Sequence, residues 1–141
     1  MASPINTENA AKPVGLYPHA RKVGNLLFLS GIGPREAGTG NIPGLERDKN
    51  GNFASFDFEA QVHSVFRNIK AVLEASGAKW EDLVDVTVFL VDMNRDFNAF
   101  NKIWADYFPT NPPCRTTVSI TALPTPIAIE LKCIAEIKPA S

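Results

Sequence analysis

At 141 residues, 45% hydrophobic and 21% charged, the chain has the composition of an ordinary soluble globular protein and the length of one domain with a substantial core. A net charge of −1 and a pI near 6.1 give no field favouring nucleic acid or an anionic membrane. No apolar run approaches the roughly 20 residues that span a bilayer.

Residues 1–13 are small and polar and are expected to form a loose N-terminal arm ending at Pro13. The arm lacks the basic and apolar regions of a signal peptide, and a cytoplasmic location is expected. Gly24-Asn25 is a tight-turn signal between two apolar stretches and predicts a hairpin of 17–23 with 26–32. Residues 33–55 hold five glycines and two prolines, predicting a long loop with room for a short strand, a kind of segment that is often functional. The clearest helix is 56–76, where Phe58, Val62, Val65, Phe66, Ile69, Val72 and Leu73 follow the 3.6 period. Ser55 or Asp57 suits its start, and Gly77 the left-handed position past its end.

Residues 83–91 read as a buried strand, and 95–108 as a second helix with Phe97, Phe100, Trp104 and Phe108 turned inward and Pro109 as the stop. Two β-branched runs, 116–123 and 127–137, flank Pro124-Thr125-Pro126 and read as consecutive strands of a hairpin. The order β-β-loop-α-β-α-β-β predicts an α+β domain over 1–141, with two helices on one face of a mixed sheet. Residues 83–91 carry apolar side chains at both parities, Val84, Val86 and Val88 against Leu83, Phe89 and Val91. A large uncovered apolar face is therefore expected, buried by other copies in an obligate homo-oligomer with sites at the seams.

Each C-terminal run holds one charge at odds with its neighbours: Arg115 at the start of the first and Glu130 inside Ile-Ala-Ile-Glu-Leu. A planar, permanently charged fork and a carboxylate are suited to holding a small carboxylic acid and acting on it. Read alone, the sequence favours a surface arginine at a strand start for Arg115, while Glu130 fits an outward residue of an edge strand equally well. In a hairpin centred on Thr125, Glu130 pairs with Ile120 and faces away from Arg115. The two would then meet only through a bulge or across subunits. Cys114 and Cys133 form neither a disulfide framework nor a metal-spaced motif, and there is no H-E-x-x-H, P-loop or G-x-G-x-x-G. Neither a metal nor a nucleotide cofactor is expected. His63 borders the apolar stripe of the first helix and reads as structural, while His19 lies near Tyr17.

The chain resembles the Rid, or YjgF, family of small deaminases over residues 7–137. The resemblance is carried by Gly15-Leu16-Tyr17, by Asn25 to Gly31 ending in Leu-Ser-Gly, and by Asn68-Ile69-Lys70-Ala71. It continues through Val86-Thr87-Val88-Phe89-Leu90 with Asp92-Met93-Asn94, then Asp96-Phe97 to Asn101, and Pro113-Cys114-Arg115 to Ile129-Glu130. It implies a chorismate-mutase-like homotrimer with clefts between subunits, the pairing of trimers being left open. It also implies a cofactor-free reaction releasing ammonia from an enamine or imine. In that pattern Arg115 holds the substrate carboxylate, Glu130 handles water or a proton, and Tyr17 reaches into the cleft. Gly31 and Ser30 border it, with Asn101 and Thr117 as further binding positions. Thr117 stands where the best-known imine deaminases carry cysteine. The enlarged loop from Arg35 to Phe56, with Gly40-Asn41-Ile42-Pro43-Gly44, is similar to the 2-aminomuconate deaminase branch of aromatic-compound catabolism. The alternatives are a broad 2-iminobutanoate/2-iminopropanoate deaminase and a ligand-binding protein without turnover. A dicarboxylate would need a second cation, for which Arg35, Arg47, Arg21 and Lys22 are candidates. RNA cleavage is disfavoured by the acidic pI and the lack of a basic stripe.

Overall fold

The computed structural model describes residues 3–139. Three short strands come first: β1 (Ser3–Ile5), β2 (Ala20–Val23) and β3 (Leu26–Leu29). Gly24, at φ +60°, and Asn25 form the two-residue turn that sets Val23 opposite Leu26, so the expected hairpin exists with shorter strands. The arm expected to be loose is tied down at two points. Ser3–Ile5 pairs antiparallel with β2 at the sheet edge. Beyond it, buried His19 accepts the Thr7 N–H at Nδ1 (3.2 Å) and is 2.8 Å through Nε2 from the Ala11 carbonyl, to which it donates.

The segment 33–55 contains β4 (Leu45–Arg47) and β5 (Phe53–Phe56), an antiparallel ribbon separate from the main sheet. Asp57 then caps helix α1 (Phe58–Ala75) by accepting the Ala60 N–H, and Gly77 follows its end at φ +76°. The predicted apolar stripe of α1 is buried along its length. Strand β6 (Leu83–Leu90) leads into α2 (Met93–Tyr107), capped by Asp92, and the chain closes with β7 (Cys114–Ser119) and β8 (Ile129–Glu136). No helix among the described residues is long and apolar enough to cross a membrane.

The main sheet runs β1-β2-β3-β8-β6-β7, and its order corrects the expected C-terminal hairpin. β7 and β8 are not neighbours, because β6 lies between them, parallel to β7 and antiparallel to β8. Helix α2 supplies the crossover that a parallel β6–β7 pair requires. Residues 120–128 then pass around the end of β6, where Ile120 N–H bonds Leu90 O and Val91 N–H bonds Ala128 O. The proline pair marks this connection, not a tight turn. Glu130 therefore pairs with Phe89 rather than Ile120.

A register shift between Leu83 and Asp85 brings Leu83 to the same face as Val86, while Phe89 remains on the opposite face. Leu83, Val86, Val88 and Leu90 all enter the core beneath the helices, while Val84 is exposed. Phe66 of α1 centres that core, with the rings of Trp80, Phe100, Tyr107 and Phe108 around it at centroid distances from 4.3 to 6.3 Å. The opposite sheet face has no helix over it, but it is mixed where a wholly apolar face was expected. Half-buried Phe28, Phe89, Val118 and Ile134 alternate there with Thr87, Glu130 and Lys132.

Candidate active site

Pleating decides which predicted site residues share a face. Glu130 lies opposite Phe89, which lies opposite Val118; Arg115 lies opposite Val86, which lies opposite Cys133. Paired residues share a face and neighbours along a strand alternate. Glu130 thus emerges on the uncovered face and Arg115 on the helix face. The two charges expected on adjacent strands are separated by β6 and by the thickness of the sheet.

The Glu130 half is a cleft of about 140 Å³ lined by Tyr17, Gly31, Arg35, Thr125, Ile127 and Glu130 among others. The Glu130 carboxylate packs against bare backbone: a Cβ placed on Gly31 would stand 2.6 Å from Oε2. Burial raises the Glu130 pKa from its ordinary value, and the Arg35 charge offsets part of that rise. Tyr17 is 41% exposed at the rim. The Ser30 hydroxyl donates to the Pro18 carbonyl at 2.7 Å, which fixes the chain next to Tyr17. On the same face, Lys132 Nζ donates to the Leu29 carbonyl.

The Arg115 half lies on edge strand β7 against α2. Its guanidinium stands 5.0 Å from the Trp104 ring centroid and 5.4 Å from that of Phe100, while Nη2 donates to Asn101 Oδ1 at 2.7 Å. Burial lowers the Arg115 pKa without threatening its charge. Thr117 shares this face, and its buried hydroxyl has no hydrogen-bond partner among the described residues. The predicted site residues therefore fall into two groups on opposite faces: Tyr17, Ser30, Gly31 and Glu130 in one, Arg115, Asn101 and Thr117 in the other.

Helix α1 carries a further set that the periodicity reading passed over. Gln61, Ser64 and Asn68, spaced i, i+3, i+7 beside the apolar stripe, are buried and hydrogen-bond the loops that shape the Glu130 cleft. Gln61 Oε1 accepts the Ala128 N–H (2.8 Å), Ser64 donates to Pro34 O (2.7 Å), and Asn68 Nδ2 donates to Gly33 O and Arg35 O (3.0 and 2.7 Å). Polar residues repeating at helical spacing next to a core stripe were the available signal. Of the other titratable residues, His63 is exposed and bonded to the Tyr107 hydroxyl. Cys133 is buried, which pushes its pKa up to about 12 and leaves it inert. Cys114 is exposed on β7.

The family described as "Endoribonuclease L-PSP" matches residues 7–137. The chain belongs to this family, also called Rid or YjgF. A RutC family protein of Pyrococcus horikoshii is 41% identical over 135 residues, covering 96% of this chain and 98% of that one. A 2-iminobutanoate/2-iminopropanoate deaminase of Dermatophagoides farinae is 38% identical, covering 95% of each. The solved structure of a conserved Rid family protein from Yersinia pestis superposes with a TM-score of 0.83 at 33% identity, covering 97% of this chain and all of that one. The mixed sheet with two helices on one face is accordingly the chorismate-mutase-like Rid fold.

In this Rid chain the contact between Gly31 and Glu130 gives a direct expectation. Gly31→Ala should lower kcat/KM by about 10²-fold, because displacing a reacting group by about 1 Å has that effect. Thermal stability should barely move, since Gly31 has no left-handed backbone angle to lose. Steady-state kinetics beside a melting curve check both, and activity within twofold of wild type would show that this close approach is not used.

Proposed function

We propose that the chain is a hydrolytic deaminase releasing ammonia from a 2-enamine or 2-imine carboxylate, with 2-aminomuconate as its substrate. The observation that carries this reading is the Glu130 carboxylate, half-buried over Gly31 in a small cleft with Tyr17 and held above its usual pKa by burial. A carboxylate in that setting can take a proton from water at neutral pH and return it to a leaving amine. The carboxylate of the substrate goes to Arg115, whose fork is pre-set by Asn101 and the aromatic rings of α2. Because Arg115 and Glu130 leave opposite faces of one sheet, the working site joins the Glu130 half of one copy to the Arg115 half of another. A homotrimer with clefts between subunits supplies that arrangement.

The reaction then runs through the chain's own groups. An enamine first becomes the imine by gaining a proton at carbon and losing one from nitrogen. Glu130 draws a proton from a water and passes it to the imine nitrogen as the water oxygen bonds to the C=N carbon, giving a tetrahedral carbinolamine. The C–N bond breaks as the hydroxyl proton moves, again through Glu130, to the leaving amine, giving ammonia and a 2-oxo acid. The name of the Dermatophagoides relative supports the reaction class. The 2-aminomuconate assignment is supported by the enlarged loop, which starts at cleft-lining Arg35 and continues in sequence into the ribbon β4–β5.

Ammonia release from freshly generated 2-aminomuconate, run beside 2-iminopropanoate made from alanine, tests the reading. Turnover of the first alone establishes the catabolic enzyme. Turnover of the second alone makes this a broad protective deaminase, and silence on both leaves a ligand-binding protein.

A further inference from the structure

We propose that Arg35 is a second carboxylate anchor, which fits the cleft to a substrate with a carboxylate at each end. For its chemistry this rests on the deaminase reading; its binding claim can be tested without turnover. Arg35 lines the Glu130 cleft and also two adjoining clefts that share Tyr17, the larger about 1170 Å³ and bounded by Lys12, Gly38 and Gly40. It stands where those spaces meet. Of the four cations considered for a second carboxylate, it alone has this position: Arg47 donates to Gly51 O within its own ribbon, and Arg21 and Lys22 lie on β2 outside these clefts.

Two properties make Arg35 a built anchor. Its backbone is fixed, since Asn68 donates to the carbonyls of Gly33 and Arg35 while Ser64 holds that of Pro34. Rotamer freedom is then all that binding must remove. Its guanidinium also forms no close ion pair among the described residues, although its charge reaches Glu130 across the cleft. The ion pairs among the described residues both involve Arg95, and the Arg35 guanidinium has only the backbone carbonyl of Lys12, at 2.6 Å, as a hydrogen-bond acceptor. A guanidinium has five N–H donors in a fork matched to a carboxylate. Gly40 leaves room above it, a Cβ there coming only to 4.0 Å from Nη1. A substrate whose reacting carbon lies over Glu130 can turn its far end to Arg35, which borders all three clefts.

Calorimetric titration with two six-carbon dienes of equal length tests this: trans,trans-muconate, with two carboxylates, and sorbate, with one carboxylate and a methyl. Wild type should bind muconate about 10- to 100-fold more tightly, the range of a charge-assisted hydrogen bond. Arg35→Ala should cut that ratio to about threefold or less, and Arg35→Lys should restore part of it by charge without the fork. Equal binding of the two by wild type, or binding of neither, overturns the proposal. So does a ratio unchanged in Arg35→Ala, or parallel loss of both ligands, which would mean that Arg35 only holds the arm through Lys12. A muconate preference that depends on Arg35 but comes without ammonia release would sustain this anchor while sinking the deaminase reading.

Discussion

Glu130→Gln should lose about 10²- to 10⁴-fold in kcat, the range attributable to one positioned acid–base group, while gaining thermal stability at neutral pH. Glutamine keeps the shape that fits over Gly31 but cannot take a proton from water. The stability gain follows from the direction of the pKa shift. Burial raises the folded-state value, so the folded chain holds this proton more tightly than the unfolded chain. The stability associated with it is fully present below the unfolded value and is lost as pH rises through the folded one. Above that window wild type bears a half-buried charge that the amide does not. Melting temperatures at pH 4 and pH 7 check the sign: the variant should lead at pH 7, with the gap closing at pH 4. A variant that is less stable at pH 7, or that keeps more than a tenth of wild-type kcat, would remove Glu130 from its assigned role.

Arg115→Ala should lower kcat/KM by about 10- to 150-fold, the loss expected when a hydrogen bond to a charged group is removed. Arg115→Lys should recover only part, because an ammonium offers neither the fork nor the flat face that lies over Phe97, Phe100 and Trp104. Loss of that stacking should also cost about 1 kcal/mol of stability in the alanine variant. If lysine matched arginine in kcat/KM, Arg115 would be acting as a bare point charge, and its hydrogen bond to Asn101 would have no part in recognition.

Much of this was legible in the sequence, for physical reasons that differ by element. Helix α1 was readable because seven apolar positions follow one period between a capping aspartate and Gly77. The β2–β3 hairpin was readable because Gly24-Asn25 permits little else. The C-terminal pairing was misread because proline marks a break in a ladder without saying where the chain goes next. Sheet order is set by long-range packing, and β6, buried on the core side along its length, draws a strand to each flank. The bulge between Leu83 and Asp85 likewise moved Leu83 to the buried face and Val84 to solvent, which strict alternation does not show. Glu130, Gly31 and Tyr17 were found by their place in a family pattern and share a cleft. Arg35 was only one of four cations until Asn68 and Ser64 were seen to hold its loop. The opposite facing of Arg115 and Glu130 was anticipated from the wrong pairing and holds with the right one, since each β6 residue sets the parity of both its neighbours.

That opposition makes assembly the central claim, and mixing two inactive variants tests it most directly. Co-expressed in equal amounts, Glu130→Gln and Arg115→Ala chains each keep the half-site that the other lacks. In a cyclic assembly with sites between neighbours, about one quarter of the sites would combine an intact Glu130 with an intact Arg115. The account predicts ammonia release at about one quarter of the wild-type rate per site on that basis. Activity no higher than the mean of the separate variants would contradict a site shared between chains.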